Sequence, residues 1–352
     1  MGLPPYRSWA RCEGCVGRAI DWVTDVTSTG DRTSGRSALD VVEDLEGGIQ
    51  RVTAVPTGFS VLDRILDGGL SARDLTVLGG VPGAGKTAMA LQWARNMASD
   101  GHQVVYACYD HDEVTLLARL LMLEIGDLTG GADASSLQAR AAVRAVARGE
   151  MTLVDATDES LLVRAAHSRV QAYGENLRLL SASRDATGLK ELAEVADEIG
   201  AGGVLVVDYL QKVPANDASS EAIRVDSVAA ALKEIALTRH VAVLAVVIGD
   251  KSGLNVRRLR QHHLRGASGI AYEADVVLML NEKYRAVSKI HSSYDALRAE
   301  DFKRWIVVSI SKNRHGPAGI DVEFIKDFPH FRFDPDGRHV EDQLIDDMMY
   351  PE

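Results

Sequence analysis

The amino-acid sequence predicts an α/β protein built on a doubly wound, mostly parallel sheet. Short runs of Val, Leu and Ile recur along the chain, each apolar at nearly every position, as strands buried on both faces of a parallel sheet are. Stretches with helical spacing separate these runs, and a glycine-rich phosphate-binding pattern joins one run to the next helix. The predicted strands are Leu75–Leu78, Val104–Cys108, Val204–Val207, Val241–Val247, Val276–Leu280 and Ile306–Ile310, and the predicted helices are Ala88–Ala98, Glu113–Glu124, Leu189–Ile199 and Val225–Thr238.

Composition divides the 352 residues into three parts. Residues 1–50 form a polar N-terminal tail with one predicted helix at 37–46, which Ser37 can cap. The α/β domain is expected over residues 52–336, and residues 337–352 are interpreted as a solvated acidic tail. Cys12 and Cys15 form a lone CxxC, which is either a zinc or redox motif or a chance pair.

Charge and hydropathy exclude several classes of protein. The net charge of -11 disfavours a protein that coats nucleic acid non-specifically, but it leaves open binding confined to an internal channel. No apolar stretch reaches the roughly 20 residues that a spanning helix needs, so no membrane partner is expected. The N-terminus lacks a signal pattern and the cysteines are few, which together predict a soluble cytoplasmic protein.

The strongest motif is a phosphate-binding loop of the form GxxxxGK[ST], between the predicted strand ending at Leu78 and the helix at Ala88. Its glycines let backbone N–H groups surround phosphates, and the helix N-terminus adds positive partial charge. Asp208 ends another predicted strand, where it can hold a metal ion together with Thr87. The sequence therefore predicts a nucleotide triphosphatase that uses ATP and Mg²⁺. The residues expected to contact the nucleotide are Gly80, Pro82, Gly83, Ala84, Gly85, Lys86, Thr87 and Ala88.

These motifs resemble the RecA-fold ATPase domain of DnaB-type replicative helicases, from about Val52 to Asp334. The lead-in Thr57-Gly-Phe-Ser-Val-Leu-Asp63 and the phosphate loop are shared with RadA-like and KaiC-like proteins. More specific are Asp208-Tyr-Leu-Gln211, the segment Leu264 to Asp275, and Lys312-Asn-Arg314-His-Gly316-Pro317. The resemblance implies a RecA-like P-loop ATPase that assembles into a homo-oligomeric ring, in this family a hexamer.

The resemblance also implies catalytic roles for individual residues. Lys312 and Arg314 would reach the ATP site of the neighbouring subunit, where cations stabilise charge that develops on the γ-phosphoryl group. Asp110 occupies the position of the family's water-activating glutamate, and Lys86 and Asp208 complete the catalytic set. As an alternative, Asp110 or Asp112 only caps the helix that begins at Glu113.

A segment without acidic residues runs from Lys251 to Tyr272 and is expected to face single-stranded DNA. A ring of such loops would form a positive channel that follows a phosphate backbone. The alternative is a basic surface loop that binds nothing. The DNA-contacting residues predicted there are Arg257, Arg258, Arg260, Arg265 and Gly266.

Three departures from the family pattern leave the function open between classes. Asp110 stands where the family has a glutamate, and its carboxylate is one methylene shorter. Ile248 stands where the family has a nucleotide-sensing glutamine, and the first 50 residues are too few and too polar for the family's primase-docking domain. The leading hypothesis is an accessory ring-forming helicase or translocase on single-stranded DNA. The alternatives are an ATP-gated regulatory or assembly ATPase, with a protein partner left open, and a scaffold that binds ATP without turnover.

Overall fold

A computed structural model of the chain describes residues 37–46, 54–131, 133–215, 221–250, 253, 256–287 and 300–345. The chain divides into two compact units, with the boundary between Arg51 and Val52. Segment 1–35 and its CxxC motif lie outside the described residues. Among the helices that the structure describes, none is long and apolar enough to cross a bilayer.

The first unit contains helix α1 (Ala38–Glu46) within its described residues. The Ser37 hydroxyl accepts a hydrogen bond from the Asp40 N–H at 3.1 Å, and the Ser37 N–H donates to the Asp40 carboxylate at 3.0 Å. This reciprocal pairing satisfies two donors at the start of the helix. Ser37 therefore caps the helix, as the sequence predicts.

The second unit contains a small two-stranded ribbon and a large sheet. The strands are β1 (Ala54–Val55), β2 (Leu70–Ser71), β3 (Leu75–Gly80), β4 (Val104–Cys108), β5 (Leu177–Ser181), β6 (Val204–Asp208), β7 (Ala242–Ile248), β8 (Val276–Glu282), β9 (Trp305–Asn313), β10 (Ile320–Asp327), β11 (Arg332–Phe333) and β12 (Arg338–His339). Strands β1 and β2 form the ribbon, and the large sheet has the order β11-β10-β9-β8-β3-β7-β6-β4-β5, with β12 beside β10.

The centre of the large sheet is parallel and one flank is antiparallel. Strands β8, β3, β7, β6, β4 and β5 pair in parallel. Strand β9 runs antiparallel to both β8 and β10. The prediction of a parallel strand at 306–310 is therefore correct in position but wrong in direction. Strand β9 is also buried on both faces over residues 306–310, and an antiparallel strand covered in this way shows the same apolar run as a parallel strand.

Helices cover both faces of the sheet. They are α2 (Ser60–Ile65), α3 (Lys86–Ser99), α4 (Glu113–Thr129), α5 (Ala134–Ala147), α6 (Leu153–Glu159), α7 (Leu161–Tyr173), α8 (Leu189–Ile199), α9 (Glu221–Arg239), α10 (Ala267–Glu273) and α11 (Lys283–Ala286). Alternate residues of β3 enter two separate cores: Leu78 lies in the core that contains Trp93 of α3, and Val77 in the core that contains Leu232 of α9. The doubly wound prediction is confirmed.

Helices α5, α6 and α7 and strand β5 were not predicted from the sequence. Helices α5 and α7 pack on α4, and α6 packs on α5 and α7, around a cluster that includes Leu121, Val143 and Val163. Strand β5 forms one edge of the sheet, and its side chains are mostly half-buried or exposed. A search for strands that are apolar on both faces finds central strands and misses such an edge.

The acidic C-terminal stretch contacts strand β10 and helix α11 as far as residue 345. The Ile345 N–H donates to the Ala286 carbonyl at 2.8 Å. Lys283, which is 1% exposed, forms ion pairs with Glu323 at 2.5 Å and Asp342 at 2.7 Å. The stretch expected to be a solvated tail is therefore only partly solvated over 338–345: Arg338, His339, Glu341 and Gln343 are exposed, whereas Asp342 is held by Lys283. The buried ammonium group requires the carboxylates of Glu323 and Asp342 to replace its lost hydration.

Candidate nucleotide site and nucleic-acid interface

Four parallel strands end at one edge of the sheet, and residues of the predicted site lie at their ends. Gly80 at the end of β3 is in register with Ile248 at the end of β7. Cys108 at the end of β4 is in register with Asp208 at the end of β6. Ligands of open parallel sheets bind at this carboxyl edge.

The phosphate loop occupies residues 81–85 at this edge. Helix α3 begins at Lys86, two residues before the predicted start, so Lys86, Thr87 and Ala88 form its first turn. Gly85 has φ +93°, and a Cβ there would lie 2.6 Å from the Phe333 ring, so the position requires glycine. The first N–H groups of α3 have no partner within the helix, and such a terminus attracts phosphate.

The Lys86 side chain folds back over this loop. Its Nζ donates to the Val81 carbonyl at 2.8 Å, and the residue is only 7% exposed. Burial lowers the pKa of Lys86 to about 8, against the opposing effect of Asp208 and Asp110. The ammonium group has lost hydration that a bound polyphosphate can replace.

Asp208 lies buried beside the first turn of α3. Burial raises the pKa of its carboxyl, while hydrogen bonds from the Thr87 hydroxyl and from Tyr106 lower it. The Tyr106 hydroxyl donates to Oδ2 of Asp208 at 2.8 Å. A carboxylate beside a hydroxyl is a set of hard oxygen donors, which fits Mg²⁺. Sequence reasoning missed Tyr106, because it appears there only as one more apolar residue of a buried strand.

Asp110 and Asp112 have different roles in the structure. Asp112 accepts a hydrogen bond from the Thr115 N–H at 2.8 Å and caps α4. Asp110 forms an ion pair with Lys212. Of the two carboxylates considered for the cap, the one that caps is therefore Asp112. Lys212 was also missed by sequence reasoning, although it directly follows the Asp208-Tyr-Leu-Gln211 motif.

Lys312 and Arg314 lie at the opposite, amino edge of the parallel strands. Lys312 Nζ donates to the carbonyls of Ala271 and Ala274, at 2.7 and 2.5 Å, near the C-terminal end of α10. Burial and the nearby Arg314 lower the pKa of Lys312. Arg314 pairs with Asp275 at 3.0 Å, but its side chain remains 49% exposed.

The position of these cations separates them from the phosphate loop of their own chain. Asp275 directly precedes β8, whereas the phosphate loop follows the last residue of the neighbouring β3. A strand of six residues spans about 20 Å. Any role for Lys312 and Arg314 in catalysis therefore requires the phosphate loop of another subunit.

Arg258, predicted to contact DNA, is instead held inside the protein. It is 6% exposed and forms an ion pair with Asp321 at 2.5 Å. The same guanidinium group donates to the Ser309 hydroxyl at 3.2 Å and to the Ile345 carbonyl at 3.5 Å. The prediction that Arg258 contacts DNA is therefore wrong for this structure, because a buried arginine that is already paired with Asp321 does not face a phosphate backbone.

Other residues of the basic segment are divided between packing and surface. The Arg257 side chain donates to the Val287 carbonyl at 3.1 Å. Arg260 is half-buried, and Arg265 is exposed. A Cβ on Gly266, which has φ +83°, would lie 2.1 Å from Val225, so α9 and not a phosphate explains this glycine. Lys251, at the start of the segment, lies outside the described residues.

Comparison with known proteins places this arrangement in a family. The profile of the DnaB-like helicase C terminal domain matches residues 54–333. The chain belongs to this family. The resemblance found in its motifs is thereby confirmed, together with the RecA-like P-loop fold.

Several curated and solved proteins are similar to the chain. The replicative DNA helicase DnaB of Geobacillus stearothermophilus is 27% identical over 83% of the chain, and the replicative DNA helicase DnaC of Bacillus subtilis is 27% identical over 85%. The DNA repair protein RadA of Mycolicibacterium smegmatis is 30% identical over 30% of the chain and 27% of its own length. A solved DnaB-like replicative helicase, studied with primase, has a TM-score of 0.63 and 21% identity, over 84% of this chain and 65% of its own.

The match extends over only part of the curated helicases. The chain spans 59% of the Geobacillus protein and 62% of the Bacillus protein. The part that matches the family, residues 54–333, includes the phosphate loop and Asp208.

Proposed function

We propose that the chain is the motor of an ATP-driven translocase or helicase that forms a homo-oligomeric ring, in its family a hexamer, around single-stranded DNA. The observation that carries this proposal is the placement of charge at two opposite edges of the sheet. Lys86 and Asp208 lie at the carboxyl edge, and Lys312 and Arg314 lie at the amino edge.

The carboxyl edge supplies the residues for hydrolysis. Backbone N–H groups of the phosphate loop and Lys86 bind the β- and γ-phosphates. Thr87 and Asp208 would hold Mg²⁺, which neutralises phosphate charge when it is bound. Asp110 is the base that orients and deprotonates the attacking water. Asp110 is close enough to Lys86 and Asp208 to influence the pKa of each.

The amino edge supplies the ring contact. Arg314 is anchored by Asp275 but half-exposed, so its guanidinium group can donate to the γ-phosphate of a neighbouring subunit. Lys312 is less exposed than Arg314 and donates to the carbonyls at the end of α10, which stabilises this helix end at the amino edge. A ring in which each amino edge covers the next carboxyl edge completes every ATP site.

Fewer arginines are available to contact DNA than the run of basic residues in the sequence indicates. Arg265 is exposed, whereas Arg257 and Arg260 are half-buried. With Arg258 buried on Asp321, the exposed Arg265 is the strongest remaining candidate among the predicted arginines for contact with the phosphate backbone.

A second candidate function is an ATP-gated regulatory or assembly ATPase with weak or no unwinding. Ile248 favours it, because a side chain without hydrogen-bonding groups cannot sense the γ-phosphate. The internal contacts of Arg258 favour it as well, because they remove one cation from the DNA surface.

ATP hydrolysis by the purified protein at low salt, with and without a single-stranded oligonucleotide, distinguishes the two functions. The motor predicts severalfold stimulation by DNA, and loss of all hydrolysis in Lys86→Ala. Lys190→Met, which alters an exposed lysine paired with Glu194, is the matched control and should behave as the wild type. Hydrolysis that is indifferent to DNA would contradict the motor and favour the regulatory ATPase.

A further inference from the structure

A short 3₁₀ turn, Leu210–Lys212, connects the carboxyl edge to the basic segment. It follows β6 and Asp208, and two of its consecutive side chains contact different parts of the molecule. Lys212 contacts the strand end that carries Asp110, and Gln211 contacts the end of β7 and the basic segment.

The Lys212 ammonium group forms an ion pair with the carboxylate of Asp110, which is proposed to activate water. It pairs with Asp110, donates to the Tyr109 carbonyl at 3.2 Å, and lies 5.3 Å from the centre of the Tyr209 ring. The hydrogen bond with Asp110 raises the pKa of Lys212, so the amino group stays charged near neutral pH. A carboxylate oxygen engaged by an ammonium group is less available to accept a proton from water.

The Gln211 amide is bound entirely by backbone groups of two segments. Its Oε1 accepts from the Ile248 N–H at 3.3 Å, and its Nε2 donates to the Ile248 carbonyl at 3.2 Å. The same Nε2 donates to the Arg265 carbonyl at 3.3 Å. Gln211 is only 4% exposed, so a shift of the backbone at Arg265 must move this amide or leave buried polar groups unpaired.

We propose that the Gln211–Lys212 turn is a latch that couples the basic segment to ATP hydrolysis, an inference that rests on the proposed function. Lys212 is a positioning residue that holds Asp110 away from the attacking water while the basic segment is free of DNA. A DNA phosphate at Arg265 displaces the backbone that Gln211 grips, and the turn then withdraws Lys212 from Asp110. This route runs from the Arg265 backbone through Gln211 to Lys212 and needs no side chain at position 248, so a chain with isoleucine there can still respond to DNA.

Lys212→Met tests the latch from the catalytic side. Without DNA its kcat should rise about fivefold, the rate effect of removing a modest ion pair, while KM for ATP stays unchanged. Stimulation by DNA should shrink accordingly, because the released state already exists. Lys212→Arg keeps the ion pair and should restore low DNA-free turnover, whereas Lys190→Met should change neither value. An unchanged or lower kcat in Lys212→Met would overturn the proposal.

Gln211→Leu tests the latch from the side of the basic segment. Its DNA-free rate should match the wild type, because Lys212 still holds Asp110, but DNA stimulation should disappear at saturating oligonucleotide. Full stimulation in a variant that melts at the wild-type temperature would overturn the coupling route. If Gln211→Leu is unstable, DNA stimulation of the Lys212 variants tests the coupling instead. It should be smaller in Lys212→Met than in Lys212→Arg, and equal stimulation in the two would overturn the proposal.

Failure of the latch differs from failure of the proposed function. A wild type that is stimulated by DNA, together with a Lys212→Met variant of unchanged kcat, rejects the latch alone. A wild type that is indifferent to DNA rejects the motor, while the DNA-free rates of Lys212→Met and Lys212→Arg still show whether Lys212 restrains Asp110. If the wild type does not hydrolyse ATP, activity gained in Lys212→Met supports the restraint, and no gain rejects it.

Discussion

The phosphate loop and the basic segment were both expected to bind phosphate groups, but only the phosphate loop has all its predicted side chains at the predicted site. In the loop, Lys86 and Thr87 lie on the first turn of α3 beside Asp208. In the segment, Arg258 is buried against Asp321. A motif of fixed spacing dictates its own backbone geometry, whereas a run of like charges leaves their partners to be chosen by the fold.

Arg314 is intermediate between the residues of the phosphate loop and the buried Arg258, and its removal should have the largest effect on ATP turnover. It is anchored by a carboxylate, as Arg258 is, yet remains 49% exposed. Arg314→Ala should lower kcat about 100-fold or more with little change in ATP affinity, because a cation at the γ-phosphate acts mainly in the transition state. Steady-state kinetics and nucleotide titration measure the two quantities.

Mixed rings show whether Arg314 acts across subunits. Mixing Arg314→Ala with Lys86→Ala subunits should restore some activity at junctions where both intact groups meet. Arg304→Ala, at the other end of β9 and paired with exposed Asp301, is the matched control. Absence of rescue at every mixing ratio would argue against a role for Arg314 in trans. Arg314 would then be a structural residue of the amino edge, as Arg258 is of the basic segment.

Asp110 is the residue of the carboxyl edge proposed to activate the attacking water. Asp110→Ala should lower kcat about 100-fold, the usual contribution of a general base, and should leave the melting temperature near that of the wild type. A single-turnover assay on pre-bound ATP measures the chemical step directly. Turnover close to wild type would show that another group activates the water.

Arg258 and Arg265 test the basic segment directly. Arg258→Ala should lower the free energy of unfolding by about 3 kcal/mol, because it leaves Asp321 without its buried partner. Arg265→Ala should leave stability unchanged but weaken DNA binding at low salt and flatten its salt dependence. Denaturant unfolding and fluorescence anisotropy measure these two effects. A stable Arg258→Ala variant with weakened DNA binding would restore the role that the sequence predicted.

Asp112 should give the smallest effect. Asp112→Ala removes the side chain that caps α4 through the Thr115 N–H, so the melting temperature should fall slightly. Its ATP turnover should equal that of the wild type, in contrast to Asp110→Ala two positions earlier. Loss of turnover in a folded Asp112→Ala protein would mean that the catalytic carboxylate had been assigned to the wrong residue.

Local sequence patterns were sufficient to predict the doubly wound sheet, the phosphate loop and the family. These features depend on local patterns, since strand burial, helix caps and glycine turns are encoded within about ten residues. Even the position of Asp208 at the end of β6 follows from its place after an apolar run.

Which partner each charged side chain takes depends on the tertiary structure and could not be predicted from the sequence. Lys212 meets Asp110 across 102 positions of sequence, and Arg258 meets Asp321 across 63. The direction of β9 and the docking of Asp342 on Lys283 were settled in the same way. Buried charges pair because desolvation makes an isolated charge costly, and the nearest opposite charge is set by how strands and loops pack rather than by their order in the chain.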